Sequence, residues 1–184
     1  MKKLMLTLIA AAMIACVGCS EKAESKPESE AVTTSAAEEG KFDIYGAVKN
    51  MKICGNDVSL PCTFKELGEG FAYDTPIEDK NANWMFTTFR YNGEDIGVIY
   101  LELRDDGKYD ESQIVSMTLN SRAEASVNGI TSESTIEDIK KVFGEDCVQS
   151  DMNIDYGTES DGLLRILMNS VTNTPQNFTI MLPR

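Results

Sequence analysis

The strongest candidate nucleophile in the sequence is Cys62, within the stretch VSLPCTFKELGEGF that occupies residues 58–71. A thiol at the N-terminus of a helix can have a lowered pKa and react as a thiolate. The chain has no histidine, which excludes Ser-His and Cys-His catalysis and histidine-ligated zinc. Without a partner base, we expect Cys62 to be a small buried residue or to form a disulfide with Cys54.

Carboxylates are the other candidate catalytic groups, because the chain has 30 Asp and Glu residues. The stretch RDDGKYDE over residues 104–111 holds four of them, but it lacks the alternating spacing and terminal glutamate of a calcium-binding loop. Asp106-Gly107 is instead typical of a tight turn. We therefore expect no catalytic residue, metal or cofactor, and no enzymatic activity. The alternative is a cell-envelope enzyme that acts on an extracellular substrate through carboxylates or Cys62.

The N-terminus, MKKLMLTLIAAAMIACVGCS, has two lysines before an apolar run from Leu4 to Ala15. This run is too short to span a bilayer and is typical of a signal peptide. The ending VGCS resembles the lipobox of bacterial lipoproteins, a family in which a diacylglyceryl group is attached to the cysteine. The resemblance implies a signal peptide over residues 1–18 and lipid attachment at Cys19. Cys16, which stands where the family usually has leucine, is the alternative because MIAC is itself an acceptable lipobox.

The composition changes after Cys19. Residues 20–40 contain six glutamates and two lysines but no aromatic residue, which predicts a disordered acidic tether over residues 19–40. A flexible chain of this length averages about 25 Å end to end. The chain from Cys19 onward carries 15 basic and 30 acidic side chains, so nucleic acid and anionic lipid are unfavourable partners. We therefore expect the two acyl chains to anchor the protein outside the cytoplasm, on the outer face of the cytoplasmic membrane if the cell is Gram-positive.

Residues 41–184 are long enough for one domain with its own core. The stretch GITSESTIEDIKKVFG over residues 129–144 predicts a helix that begins at Thr135 or Ser134 and ends before a glycine cap at Gly144. Asp138 or Glu137 would complete a capping box. The apolar stripe of this helix comprises Ile136, Ile139, Val142 and Phe143.

A shift of this motif by 72 residues places Thr135 on Thr63 and Asp138 on Glu66, which predicts a shorter helix in residues 58–71. Each helix is followed by three strand-like stretches, and Asn92-Gly93 is a preferred type I′ hairpin turn. In the third stretch, Val115, Met117 and Leu119 are expected to point inward. The six predicted strands cover 83–91, 96–103, 114–120, 152–156, 163–169 and 177–182.

This order predicts an α+β domain of two tandem α-β-β-β repeats, with the helices on one face of an antiparallel sheet. The repeat halves would cover about 41–112 and 113–184. A tandem α-β-β-β domain behind a lipobox resembles the β-lactamase-inhibitor-protein-like fold, and the stretch over residues 129–144 is similar to the opening motif of that family. The proline that commonly follows the final glycine by two residues is absent, because Asp146 stands there. The resemblance implies a fold and carries no functional residue.

The first predicted sheet is rich in aromatic residues, of which Trp84, Tyr91 and Tyr100 form a candidate interaction surface. Aromatic residues in strands are also common core residues. The predicted anchor and tether favour a membrane-anchored, extracytoplasmic lipoprotein. The aromatic residues and the lack of histidine favour a non-catalytic protein-binding module.

We expect Cys19→Ala to release the protein from the membrane or mislocalise it, because the substitution removes the thiol that would carry the lipid. Cell fractionation followed by immunoblotting measures this. Cys16→Ala is the matched control and should remain in the membrane fraction. Retention of Cys19→Ala together with release of Cys16→Ala would instead place the lipid on Cys16.

Overall fold

A computed structural model describes residues 41–183, which form an antiparallel α+β fold dominated by sheet. The two α-helices are short: α1 covers Ile44–Val48 and α2 covers Ile136–Phe143. Neither helix has the length and apolar character needed to cross a membrane, and residues 41–183 contain no other α-helix.

The main sheet has nine strands, and every pairing in it is antiparallel. The strands are β3 (Phe71–Tyr73), β4 (Ile77–Asp79), β5 (Trp84–Tyr91), β6 (Glu94–Glu102), β7 (Ile114–Leu119), β9 (Val148–Gln149), β10 (Asn153–Thr158), β11 (Gly162–Met168) and β12 (Pro175–Met181). Their principal order is β3-β5-β6-β7-β12-β11-β10-β9, with β4 also paired to β5.

The core lies against one face of this sheet, which we call the inner face. Residues paired across neighbouring strands project to the same side of a sheet, so each row of pairs belongs to one face. One inner-face row crosses six strands and is buried throughout. This row consists of Thr87, Ile99, Met117, Ile180, Leu164 and Tyr156.

A smaller sheet and both helices cover the inner face. Strands β1 (Met51–Ile53), β2 (Asn56–Val58) and β8 (Ser126–Val127) form this sheet in the order β2-β1-β8. Their buried side chains belong to the same core as those of both helices. Helix α1 lies against the backbone of Gly162, where a Cβ atom would come within 2.4 Å of the Ile44 side chain.

The prediction for α2 is confirmed, and the structure selects among its alternatives. Thr135 is the N-cap: its hydroxyl accepts a hydrogen bond from Asp138 N–H at 3.2 Å, and the Asp138 carboxylate accepts one from Thr135 N–H at 2.9 Å. Gly144 follows the last turn and donates its N–H to the Lys140 carbonyl. Val142 does not belong to the buried stripe, because its side chain is 41% exposed.

The first predicted helix is instead a four-residue 3₁₀ helix, Phe64–Leu67. The Glu66 carboxylate accepts hydrogen bonds from the Thr63 N–H and hydroxyl, at 2.7 and 2.9 Å, as the comparison with α2 predicts. The helix ends early because Gly68 adopts φ +96°, outside the helical range. Phe71, expected at the end of this helix, is the first residue of β3.

All six predicted strands are present, within a few residues of their expected bounds. Asn92 and Gly93 both have positive φ, as a type I′ turn requires. The prediction for Val115 is wrong: this residue is half-buried, and Ile114 occupies the inner face instead. The register shifts between the pairs Tyr100–Ser116 and Leu101–Ile114, which removes Val115 from the alternation.

The sequence did not reveal the short elements. Helix α1, the small sheet, β3, β4 and β9 were not predicted, and Val58 of β2 and Phe71 of β3 lie in the stretch predicted as a helix. Two further 3₁₀ helices, Tyr109–Glu111 and Ser121–Ala123, lie in the connections on either side of β7.

We expect Thr135→Ala to lower the free energy of unfolding by about 1 kcal/mol, because it removes the side-chain half of the capping box. Urea unfolding followed by circular dichroism measures the change. Ser132→Ala is the matched control, since Ser132 is exposed just before the helix, and it should change stability by less than about 0.5 kcal/mol. Equal stability of the two variants would show that the cap does not stabilise α2.

Candidate interaction surface

The opposite side of the main sheet, which we call the outer face, carries a group of large apolar side chains at one end. The helices and the small sheet contribute their buried side chains to the core on the inner face. Cross-strand pairing places Ile77 beside Phe86 and Phe86 beside Tyr100. Trp84 lies on the same face, two residues before Phe86. We call Ile77, Trp84, Phe86 and Tyr100 the aromatic cluster.

The aromatic side chains of this cluster touch one another. The ring centroids of Trp84 and Tyr100 are 5.0 Å apart, and those of Phe86 and Tyr100 are 5.8 Å apart. The three aromatic residues are half-buried, and Ile77 is 60% exposed. The cluster therefore presents a continuous apolar surface to solvent.

The structure brings together two of the three predicted surface residues, Trp84 and Tyr100. Tyr91 lies at the other end of β5, about 23 Å along the strand from Trp84. It is on the inner side, where its ring packs against Phe71 with a centroid distance of 4.9 Å. Trp84 and Tyr91 are seven residues apart in one strand, and an odd separation places two side chains on opposite faces.

The sequence did not identify Ile77, because the three-residue strand β4 has no extended alternation of its own. Phe86 was recognisable as a residue on the same face as Trp84, since the two are separated by one residue in a strand. The position of Tyr100 depends on a bulge. A two-residue turn at Asn92-Gly93 without a bulge would pair Tyr100 with Met85, whereas the register shift after Phe89 pairs it with Phe86.

Away from the aromatic cluster, the outer face also carries polar and charged side chains. The hydroxyls of Thr118 and Thr179 are 3.1 Å apart, and Arg165 makes hydrogen bonds of 2.7–3.1 Å to the Asp155 carboxylate. Burial disfavours the charged form of Asp155, but the hydrogen bonds from Arg165 and Asn153 outweigh this effect and lower its pKa. The charges in this part of the face are therefore matched internally.

The end of the sheet beside the aromatic cluster is held by hydrogen bonds between the β6–β7 connection and two neighbouring strands. Tyr109 donates its hydroxyl to Glu78 at 2.8 Å, and Tyr73 donates to Asp110 at 2.5 Å. Burial and the Asp110 carboxylate raise the pKa of Tyr73 to about 12, so this hydroxyl keeps its proton at neutral pH. In the same connection, hydrogen bonds from Arg104 and from Lys108 N–H lower the pKa of Asp106 to about 2.

The three cysteines of the described residues, Cys54, Cys62 and Cys147, are free thiols. The alternative in which Cys54 and Cys62 form a disulfide is therefore not what the structure contains. Cys62 is 8% exposed, and burial together with the nearby Glu66 carboxylate raises its pKa to about 11. A thiol of this kind is protonated at neutral pH and is a poor nucleophile.

The two candidate lipid-attachment residues, Cys19 and Cys16, lie outside residues 41–183. The signal peptide and the tether lie outside them as well, so these assignments remain predictions. Within the described part of the chain, no group of three or more Cys, Asp or Glu side chains is arranged to hold a metal ion. Comparisons with protein-family models, curated proteins and solved structures found no match to this chain.

We expect Cys62 to react with Ellman's reagent at pH 7 far more slowly than a free thiol in solution, because the residue is buried and its pKa is raised. The measurement uses the full chain in detergent with Cys54 and Cys147 replaced by serine. Cys16 and Cys19 are protected by lipidation and processing or are replaced in the same way. Denaturation with guanidinium is the control and should release the full reactivity of Cys62. Rapid reaction of the folded protein would contradict the assignment and support a catalytic thiol.

Proposed function

We propose that this protein is a membrane-anchored, extracytoplasmic lipoprotein that acts as a non-catalytic protein-binding module. Its anchor would be a diacylglyceryl group on Cys19, and its contact surface would be the outer face of the main sheet at the aromatic cluster. The main observation that supports this contact surface is the exposed apolar surface formed by Ile77, Trp84, Phe86 and Tyr100.

An apolar surface exposed on a sheet requires an explanation, because contiguous apolar patches on soluble domains commonly mark interaction sites. Aromatic side chains are particularly effective in protein contacts, since they bury a large area with few rotatable bonds. The aromatic cluster combines three rings with an exposed isoleucine on one rigid sheet. A rigid surface loses little conformational entropy when a partner binds.

The proposed anchor rests on the N-terminal sequence. Two lysines, a short apolar run and VGCS match the order of features in a lipoprotein signal, and an acidic tether follows. The first described residues of the domain, beginning at Lys41, lie near the β10–β11 turn, where Lys41 and Asp161 are 3.9 Å apart. The aromatic cluster lies on β4, β5 and β6, toward the opposite edge of the main sheet. On this proposal, the tether would join the domain at a point away from the aromatic cluster.

We further propose that the domain is a tandem α-β-β-β repeat of the β-lactamase-inhibitor-protein-like kind. The supporting observation is the strand order β5-β6-β7-β12-β11-β10, in which the third strands of the two sets meet at the centre. A threonine–carboxylate pair also opens the helix before each set, at Thr63 and Thr135. On this proposal the halves divide after Leu119 rather than at residue 112, because β7 belongs to the first set.

The enzymatic alternative receives no support from the candidate groups. Cys62 is buried with a raised pKa. The carboxylates of Asp106, Asp110 and Asp155 are engaged by arginine or tyrosine side chains. The proposal therefore assigns no catalytic role to these residues.

We expect Phe86→Ala and Tyr100→Ala each to weaken partner binding by about tenfold or more, because truncating an aromatic hot-spot residue at the centre of a contact costs about 2 kcal/mol or more. The measurement compares affinity-purified, detergent-solubilised lipoprotein and its variants for co-purification of a stoichiometric partner. Val171→Ala is the matched control, since Val171 is an apolar residue that is 88% exposed and lies away from the cluster in the β11–β12 turn.

Retention of the partner by both aromatic variants would contradict the proposed contact surface. Loss of the partner in Val171→Ala to the same extent would also contradict it, because the contact would then not be specific to the aromatic cluster. Circular dichroism of each variant checks that the sheet is intact.

A further inference from the structure

We infer that the partner of the aromatic cluster presents a cationic segment, with lysine or arginine side chains that lie over the rings. This inference rests on the proposed function, which it extends by naming the chemistry of the partner. It is based on the charges that surround the cluster.

Carboxylates stand on both sides of Trp84 in one cross-strand row. Asp79 on β4 pairs with Trp84 on β5, and Trp84 pairs with Glu102 on β6. Directly paired residues project to the same face, so both carboxylates lie on the outer face beside the indole. Asp79 accepts hydrogen bonds from Asn81 N–H and Ala82 N–H, which fix its position, whereas Glu102 is exposed at the end of β6.

The same end of the sheet has a strong excess of negative charge. Residues 77–80 and 102–111 meet there, as shown by the hydrogen bond from Tyr109 to Glu78. Together they contain seven carboxylates and three basic side chains, a net charge of −4. Two of these carboxylates, Glu78 and Asp110, accept hydrogen bonds from tyrosines on the inner side of the sheet. Two of the basic groups already face carboxylates: Arg104 lies 2.6 Å from Asp106, and Lys80 lies 3.8 Å from Glu78. Arg104 also interacts electrostatically with Glu111 and Glu102, so the excess negative charge at this corner of the sheet is partly neutralised.

A lysine or arginine side chain matches both parts of this surface. Its aliphatic stem can pack on the apolar rings, while its charged head can reach a carboxylate at the edge. A cation over the face of tryptophan is further stabilised by the ring quadrupole. In the row Asp79–Trp84–Glu102, an indole ring lies between two carboxylates, so one cationic side chain can contact both kinds of group.

The negative charge around the aromatic cluster also disfavours three other possible binding partners: a second copy of the chain, the chain's own tether and an anionic bilayer. A second copy of the chain carries the same net charge of −15 from Cys19 onward and the same acidic corner. The tether of this chain contains six glutamates and two lysines, and an anionic bilayer surface is negative as well. Like charges brought together across an interface are unfavourable, so a cationic partner is the occupant that the charges support.

Trp84 is the only tryptophan in the chain, so its fluorescence reports directly on this surface. The probes are two synthetic decapeptides without tryptophan, one of alternating lysine and leucine and one of alternating glutamate and leucine. The full chain in neutral detergent is titrated with each peptide, and the change in Trp84 fluorescence gives the dissociation constant. We expect the Lys-Leu peptide to bind at least about tenfold more tightly than the Glu-Leu peptide. The affinity should fall as salt is added.

Glu102→Gln and Glu94→Gln form a matched pair, because both residues are exposed glutamates at opposite ends of β6. We expect Glu102→Gln to weaken binding of the Lys-Leu peptide by about two- to fivefold, as for the loss of one exposed charge contact. Glu94→Gln should bind the peptide as the unchanged protein does.

Equal affinity for the two peptides, or preference for the Glu-Leu peptide, would overturn the inference. Equal weakening by the two glutamine variants would overturn it too, because the attraction would then come from overall charge and not from this corner. A cellular partner that requires Phe86 and Tyr100 but binds Glu102→Gln normally would contradict the cationic contact and leave the protein-binding module intact. Absence of any partner that depends on Phe86 and Tyr100 would instead contradict the proposed function.

Discussion

The pairing of β7 with β12 is the interaction on which the rest of the structure depends. It joins β5, β6 and β7 to β12, β11 and β10, and so makes one continuous sheet from two sets of three strands. Leu119 pairs with Phe178, and Met117 pairs with Ile180, so this junction aligns the inner face of both sets. A shift of one residue there would turn the apolar side chains of one set toward the outer face.

This alignment has consequences on both sides of the sheet. On the inner face it produces a buried row that runs across six strands, over which the helices and the small sheet pack. On the outer face it continues the row of Ile77, Phe86 and Tyr100 through Ser116 and Met181 to Leu163. The hydroxyl of Ser116 donates to the Ile180 carbonyl at 2.8 Å, so this polar residue is satisfied without interrupting the row. The proposed contact surface is therefore the exposed end of a row that the whole sheet supports.

The sequence predicted the elements whose causes are local. Helix α2 is set by Thr135, Asp138 and Gly144, which act within a few residues of one another, and the long strands are set by their own alternation and by Asn92-Gly93. The elements of two or three residues were not predictable in this way, because tertiary pairing rather than local pattern makes them strands.

The candidate surface was predictable in part for the same reason. Trp84 and Phe86 share a face by simple alternation, but Tyr100 joins them only through the bulge after Phe89. Beside that bulge, on β6, a Cβ atom on Gly97 would lie 2.0 Å from the Thr118 carbonyl oxygen, so the close approach of β6 and β7 requires glycine there. The contact between Gly97 and Thr118 joins residues that are 21 positions apart in the sequence, and no local sequence pattern reveals it.

Site-specific photo-crosslinking in living cells tests the central claim that the outer face contacts a protein partner. A benzophenone amino acid is placed at Phe86 in the aromatic cluster, or at Tyr45, an aromatic residue on α1 that is 46% exposed. We predict a discrete crosslinked protein from position 86 and none from position 45. A crosslinked partner from position 45 with none from position 86 would show that the protein binds through its helical side, and would contradict this account.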